Sequence, residues 1–256
     1  MRPGPPPPAA FLAAPIAHRG LHDRSAGRIE NSRAAVAAAA SAGYGVEVDL
    51  QLSADGEAMV FHDHALDRLT AETGPVRART RAELSRIALA GGGETIPTLA
   101  EILDIAGAAT PVLVEIKDQG GDFGPEGVGP LEARAAELLA AHPGPVAVMS
   151  FNPAAIAEIA RRAPSLPRGL VAGPPADFAG ATRAEALSRL ADLDEAGAGF
   201  VSYRWSALPT KETEALRARG LPVLCWTVRS EAEERAARAA ADNITFEGYA
   251  AALPAR

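Results

Sequence analysis

Short apolar runs recur along the chain, and the stretches between most of them repeat their apolar residues every three or four positions. The runs read as strands over 15–17, 45–53, 58–61, 111–117, 146–151, 168–172, 200–203 and 222–228, and the intervening stretches read as amphipathic helices. Capping signals set the helix starts. Asn31 or Ser32 opens an alanine-rich helix that Gly43 stops. Thr80-x-x-Glu83, Thr98-x-x-Glu101, Thr182-x-x-Glu185 and Ser230-x-x-Glu233 are capping-box patterns, and Asn152-Pro153 places a proline in a first helical turn. Between the second and third runs only a turn fits, at Asp55-Gly56, so this corner departs from a strand–helix repeat. Strands that alternate with helices imply a parallel sheet covered by helices. Eight such units in about 250 residues are the size of a closed (β/α)8 barrel, the TIM-type α/β fold. An open doubly wound sheet is the alternative, although no Gly-x-Gly-x-x-Gly follows the first strand.

Two strands break the apolar pattern in the same way. Along 45–53, Glu47 and Asp49 share one face while Val46, Val48 and Leu50 share the other. Along 111–117, Glu115 and Lys117 are again two apart. Buried like charges are costly without a cation among them, so the acidic pair points to a metal. In a barrel, side chains at the C-terminal strand ends converge on one mouth. His18, the pair Glu47 and Asp49, His62, the pair Glu115 and Lys117, and Trp226 all fall at or near such ends. Three carboxylates and no cysteine favour one hard divalent cation, Mg²⁺ or Ca²⁺, over zinc. Arg19 and Lys117 add positive charge suited to an anionic substrate, phosphate best of all. Taken singly, each residue has a plainer role. His18 and Asn31 could cap, Glu47 and Asp49 could face solvent on an edge strand, Glu115 and Lys117 could pair on the surface, and Trp226 could be core. Their common placement argues against that. The Gly/Pro-rich stretch 120–130 follows the strand carrying Glu115 and is expected to be a mobile lid.

Composition narrows the setting. The 256 residues, 48% of them apolar, suffice for one large α/β domain with a full core. Residues 15–256 are expected to be one barrel domain, preceded by a flexible proline-rich tail over 1–14. A net charge of −7 argues against nucleic acid or an anionic membrane surface as partner. The single Cys225 cannot form an intramolecular disulfide, 11–17 is too short for a signal segment, and no run reaches the ~20 apolar residues of a membrane span. The expectation is a soluble, cytoplasmic protein. Oligomeric state is not legible.

The ordered set His18-Arg19-Gly20, Glu30-Asn31-Ser32, Glu47-x-Asp49, Asp55-Gly56, His62-Asp63 and Glu115-x-Lys117 resembles the glycerophosphodiester phosphodiesterases over nearly the whole chain. The resemblance implies a (β/α)8 barrel enzyme that hydrolyses glycerophosphodiesters to glycerol 3-phosphate and an alcohol. It implies His18 and His62 as the acid–base pair, Glu47, Asp49 and Glu115 as ligands of one divalent cation, and an insertion after the third strand, at about 63–97. Arg19, Lys117 and Trp226 are the residues expected to contact substrate. Two departures stand out: Ser32 replaces the family's threonine, and Ile244-Thr245-Phe246-Glu247 stands where the family often reads Ile-Ile-Thr-Asp. Glu247 is expected to bear on the leaving alcohol rather than on catalysis. Other readings are a related barrel phospholipase D or sphingomyelinase-type phosphodiesterase, a non-catalytic binding barrel, or an amidohydrolase built on His62-x-His64. The last lacks further histidines on later strands, since only His142 remains downstream.

Overall fold

The computed structural model describes residues 4–254 apart from residue 179. Its nine strands are β1 (Ile16–Ala17), β2 (Gly45–Leu52), β3 (Ala58–Val60), β4 (Val112–Ile116), β5 (Val146–Ser150), β6 (Arg168–Ala172), β7 (Phe200–Arg204), β8 (Val223–Val228) and β9 (Asn243–Phe246). They form one sheet in the order β1-β9-β8-β7-β6-β5-β4-β2-β3, and β1 also pairs with β2, which closes eight of them into a parallel barrel. The expected fold is therefore the observed one.

The strand roster differs from expectation at two places. β3 is not a barrel strand: it pairs antiparallel with β2, Leu50 opposite Val60, because the Asp55-Gly56 turn is too short for a crossover helix. The eighth barrel strand is β9, whose short run Asn243–Phe246 follows a helix directly and lies parallel to both β8 and β1. Trp226 accordingly sits on the seventh barrel strand, and Glu247 immediately follows the last.

Period-two alternation sorts the side chains. Outward-facing Val46, Val48, Leu50, Val112, Val114 and Ile116 pack against the helices in the main apolar core. Inward-facing Ile16, Leu113, Ala147, Met149, Phe200 and Leu224 fill the barrel's lower interior. Phe11, fully buried, packs into that same interior cluster from below. This corrects the expected flexible tail. A short helix, Ala10–Ala13, carries Phe11, and Asn243 Nδ2 donates to Phe11 O and Ala14 O, 2.7 Å each. The apolar bottom of a barrel needs a cover, and this segment supplies it. Residues 1–3 of the expected tail and residues 255–256 of the expected domain lie outside the described residues.

Between β3 and the helix Leu99–Ala106, the chain folds over the β3 hairpin around a second small apolar cluster that includes Met59, Phe61, Leu66 and Leu84. The capping boxes at Thr80 and Thr98 form as patterned. The one at Thr182 does not. Its helix, Ala184–Ser188, has no side-chain cap, and Thr182 instead bonds Asp122 through its amide and its hydroxyl. Among the described residues no helix is long and apolar enough to cross a membrane.

Candidate active site

At the C-terminal end of the barrel His18, Arg19, Glu47, His62, Glu115 and Lys117 line one cavity of about 170 Å³, closed on its far side by Phe151, Arg204 and Trp226. Register creates the acidic cluster. Asp49 and Glu115 are direct partners across the β2–β4 ladder, and Glu47 lies two residues before Asp49 on the same face. All three carboxylates are buried, and one oxygen of each lies within 4.8 Å of the others.

The electrostatics suit a cation. Burial, reinforced by Asp49 and Glu115, pushes the Glu47 carboxyl well above its usual range. Glu47 Oε2 accepts from the Arg19 amide at 2.8 Å, but buried Oε1 has no hydrogen-bond partner among the described residues. A buried carboxylate oxygen left without a donor, beside two more carboxylates, fits a hard metal ion. Burial also raises Glu115 against the pull of Lys117. For Asp49, burial is outweighed by Lys117, His62 and Arg19, which hold it well below the carboxylate range. Lys117 Nζ lies 2.7 Å from Asp49 Oδ1 and 2.5 Å from Glu115 Oε1; the two charges outweigh burial and raise its pKa.

Both histidines are held by carboxylates. His18 Nδ1 lies 2.5 Å from Glu247 Oε2, and His62 Nδ1 lies 2.6 Å from Asp63 Oδ1. Burial lowers the His18 pKa against the pull of Glu247. Burial and the Lys117 charge lower that of His62 to about 4. Sequence reasoning missed this use of Glu247. Its position directly after an apolar run was the available signal, but that run was not recognised as the closing strand. Here Glu247 touches the imidazole itself, and Arg229 Nε donates to its other oxygen at 2.8 Å.

Three further supports escaped sequence reasoning. Asn31 does not cap the helix Arg33–Ala42; Ser32 Oγ does. At φ 59° Asn31 instead turns its side chain onto β2, donating to Asp49 Oδ2 at 2.8 Å and accepting from the Asp49 amide at 3.2 Å. Arg19 Nη1 donates to Glu30 Oε1 at 2.7 Å. Arg68, from the segment after β3, bonds both Glu30 and Asp63, and so ties Arg19 to the His62 support. No spacing rule links Arg68 to either partner, so nothing in the sequence could have flagged it.

The stretch 120–130, expected to be a mobile lid, is tethered at several points. The Asp118 carboxylate accepts from the Gly121 and Phe123 amides, and Asn152 Nδ2 donates to Gly124 O at 2.7 Å. Phe123 packs edge-on against Phe178, ring centroids 5.7 Å apart. Gly121, Gly127 and Gly129 all have positive φ, so these glycines serve tight turns.

Two carboxylate-held imidazoles beside a buried acidic triad that could hold a cation, in a cavity also lined by Arg19 and Lys117, suit the cleavage of a phosphoric ester. By class, this barrel is a phosphodiesterase. A model of the glycerophosphoryl diester phosphodiesterase family matches residues 18–245. The glycerophosphodiester phosphodiesterase of Caldanaerobacter subterraneus subsp. tengcongensis is 30% identical over 242 residues, covering 90% of this chain and 91% of its own. An Oleispira antarctica phosphodiesterase, solved in complex with the product sn-glycerol-3-phosphate, superposes with TM-score 0.74 at 25% identity, over 93% of this chain and 94% of that one. A glycerophosphodiester phosphodiesterase from Parabacteroides distasonis shares the fold with TM-score 0.71 at 22% identity, over 91% and 92% of the two chains. The chain belongs to the glycerophosphoryl diester phosphodiesterase family.

Proposed function

We propose that this protein hydrolyses glycerophosphodiesters to glycerol 3-phosphate and an alcohol, with His18 and His62 dividing the proton transfers. The observation that carries this reading is the pair of carboxylate-held imidazoles at the mouth. Glu247 and Asp63 each engage an Nδ1, which leaves both Nε2 atoms for substrate. Glu47, Asp49 and Glu115 would hold one divalent cation, Mg²⁺ or Ca²⁺, whose contribution when bound is to polarise a phosphoryl oxygen and lower the pKa of a nearby hydroxyl.

In a glycerophosphodiester the 2-hydroxyl already lies beside phosphorus, so attack by it gains from proximity. One histidine takes the 2-hydroxyl proton as the new P–O bond forms. The other protonates the departing alcohol as the old P–O bond breaks. Water then opens the cyclic glycerol phosphate with the two histidines exchanging roles. Arg19 and Lys117 steady the charge on phosphorus, and Trp226 lines the wall that meets the organic part. Asn31 keeps the Asp49 carboxylate oriented, and Arg68 keeps Glu30 and Asp63 in place.

The test follows glycerol 3-phosphate release from glycerophosphoglycerol through a coupled dehydrogenase. Turnover should stop with a chelator and return with Mg²⁺ or Ca²⁺. Replacing His18 or His62 by alanine should lower it by roughly 10²–10⁴-fold while the fold survives. Full turnover in metal-free buffer would remove the cation from this scheme, and near wild-type turnover in the double alanine variant would remove the histidines.

A further inference from the structure

We propose that the wall opposite the histidines is a subsite for the leaving alcohol that prefers an arm carrying a second anionic group and disfavours a quaternary ammonium. The inference rests on the phosphodiesterase reading above and concerns the identity of the alcohol. In-line displacement puts the leaving oxygen across phosphorus from the attacking one, within reach of the histidine that protonates it, and the rest of the alcohol beyond that oxygen. The carboxylates and histidines come from β1, β2, β4 and their neighbouring loops. The alcohol arm is therefore directed to the wall built by β7, β8 and the residue after β5, namely Arg204, Trp226 and Phe151.

An aromatic wall ordinarily welcomes a quaternary ammonium, because the ring face is negative. Here one face is already taken. Arg204 and Trp226 are direct partners across the β7–β8 ladder, and the guanidinium carbon stacks 4.4 Å from the indole centroid. The stack is held from both sides. Trp226 Nε1 donates to Ser202 O at 3.1 Å, and Arg204 Nε donates to Asp177 Oδ2 at 2.6 Å. Gly173 permits the second bond, since a methyl group there would overlap Asp177 Oδ2. Phe151 meets the indole edge-on at 5.5 Å. Among the described residues only Nε of the guanidinium is bonded, which leaves both Nη groups to an anion; Arg204 remains about one-third exposed, at 34%. Arg229, 56% exposed, lines the same cavity and adds a second guanidinium at its rim. An arriving choline meets a cation on the aromatic face, whereas an arriving phosphate or carboxylate meets a fixed fork of donors.

The test compares kcat/KM for glycerophosphoglycerol phosphate, glycerophosphoglycerol and glycerophosphocholine, in wild type and in Arg204→Gln. The phosphate-bearing diester should exceed the choline diester by roughly tenfold or more, a margin that narrows with added salt. Arg204→Gln should shrink that margin to about twofold, chiefly through KM of the anionic substrate, and Arg204→Lys, which keeps the charge, should retain most of it. Equal or better use of the choline diester by wild type, or a margin unchanged in a folded Arg204→Gln protein, overturns the subsite while leaving the phosphodiesterase reading intact. Hydrolysis of none of the three diesters overturns the phosphodiesterase reading and the subsite with it.

Discussion

Glu247→Gln isolates the role of the carboxylate behind His18, because the amide keeps the shape and removes the charge. The bond at stake is short, 2.5 Å, and largely shielded from solvent, with His18 and Glu247 13% and 19% exposed. A hydrogen bond to an ionised partner is worth about 1.5–3 kcal/mol, which corresponds to roughly 10–100-fold in rate if it is felt mainly in the transition state. kcat should therefore fall by about that factor with KM little changed. The pH profile supplies the sharper readout. Burial pushes His18 down and Glu247 pulls it back up, so removing Glu247 lets burial act with less opposition. Whichever limb of the kcat/KM profile His18 governs should move to lower pH. The carboxyl itself is held well below its ordinary 4.5, chiefly by the bond from His18 overcoming burial. Its contribution to stability is thus present above that ordinary value and lost as pH falls further, a dependence the variant should lack. The assay is steady-state kinetics between about pH 5 and 9, with urea unfolding at two acidic pH values. If Glu247→Gln stays within twofold of wild type at every pH, Glu247 does not position His18.

A substrate lacking the 2-hydroxyl should bind but turn over slowly by the cyclic route; hydrolysis as fast as that of the natural diester would show direct attack by water. Phe11→Ala empties a fully buried site under the barrel and should cost about 3–5 kcal/mol, lowering Tm by on the order of 10 °C, whereas a shift of a degree or two in a thermal melt would mean the N-terminal segment is dispensable. Asn31→Ala and Asn31→Gly both remove the bond to Asp49 and should raise the divalent-metal concentration needed for half-maximal activity. Because Asn31 has φ 59°, the alanine variant should also be about 1 kcal/mol less stable than the glycine variant in urea; equal stabilities would contradict the strain argument.

The local grammar of the chain was enough for the barrel class and for the shared face of its buried carboxylates. Alternation placed Glu47 and Asp49 on one face of β2, and side-chain direction in a strand depends on nothing beyond the neighbouring residues. Ser32, Thr80 and Thr98 cap their helices because a cap needs only a hydroxyl three residues from an amide. Other features depend on what lies across space. Four residues at Asn243–Phe246 carry too little pattern to announce a strand, and they become the eighth stave because β8 and β1 leave room for only that strand between them. A proline-rich segment reads as a tail until the barrel's open apolar floor is there to receive Phe11. Closure also brings residues 229 positions apart into contact, which makes Glu247 the partner of His18. In the same way, Arg204 covers Trp226 only because β7 and β8 pair in that register. The chain's own pattern determined which groups face the cavity; which charge leans on which, and hence how each one titrates and what it binds, was decided by closure of the sheet, because Coulomb forces and hydrogen bonds act over ångströms and not over sequence separation.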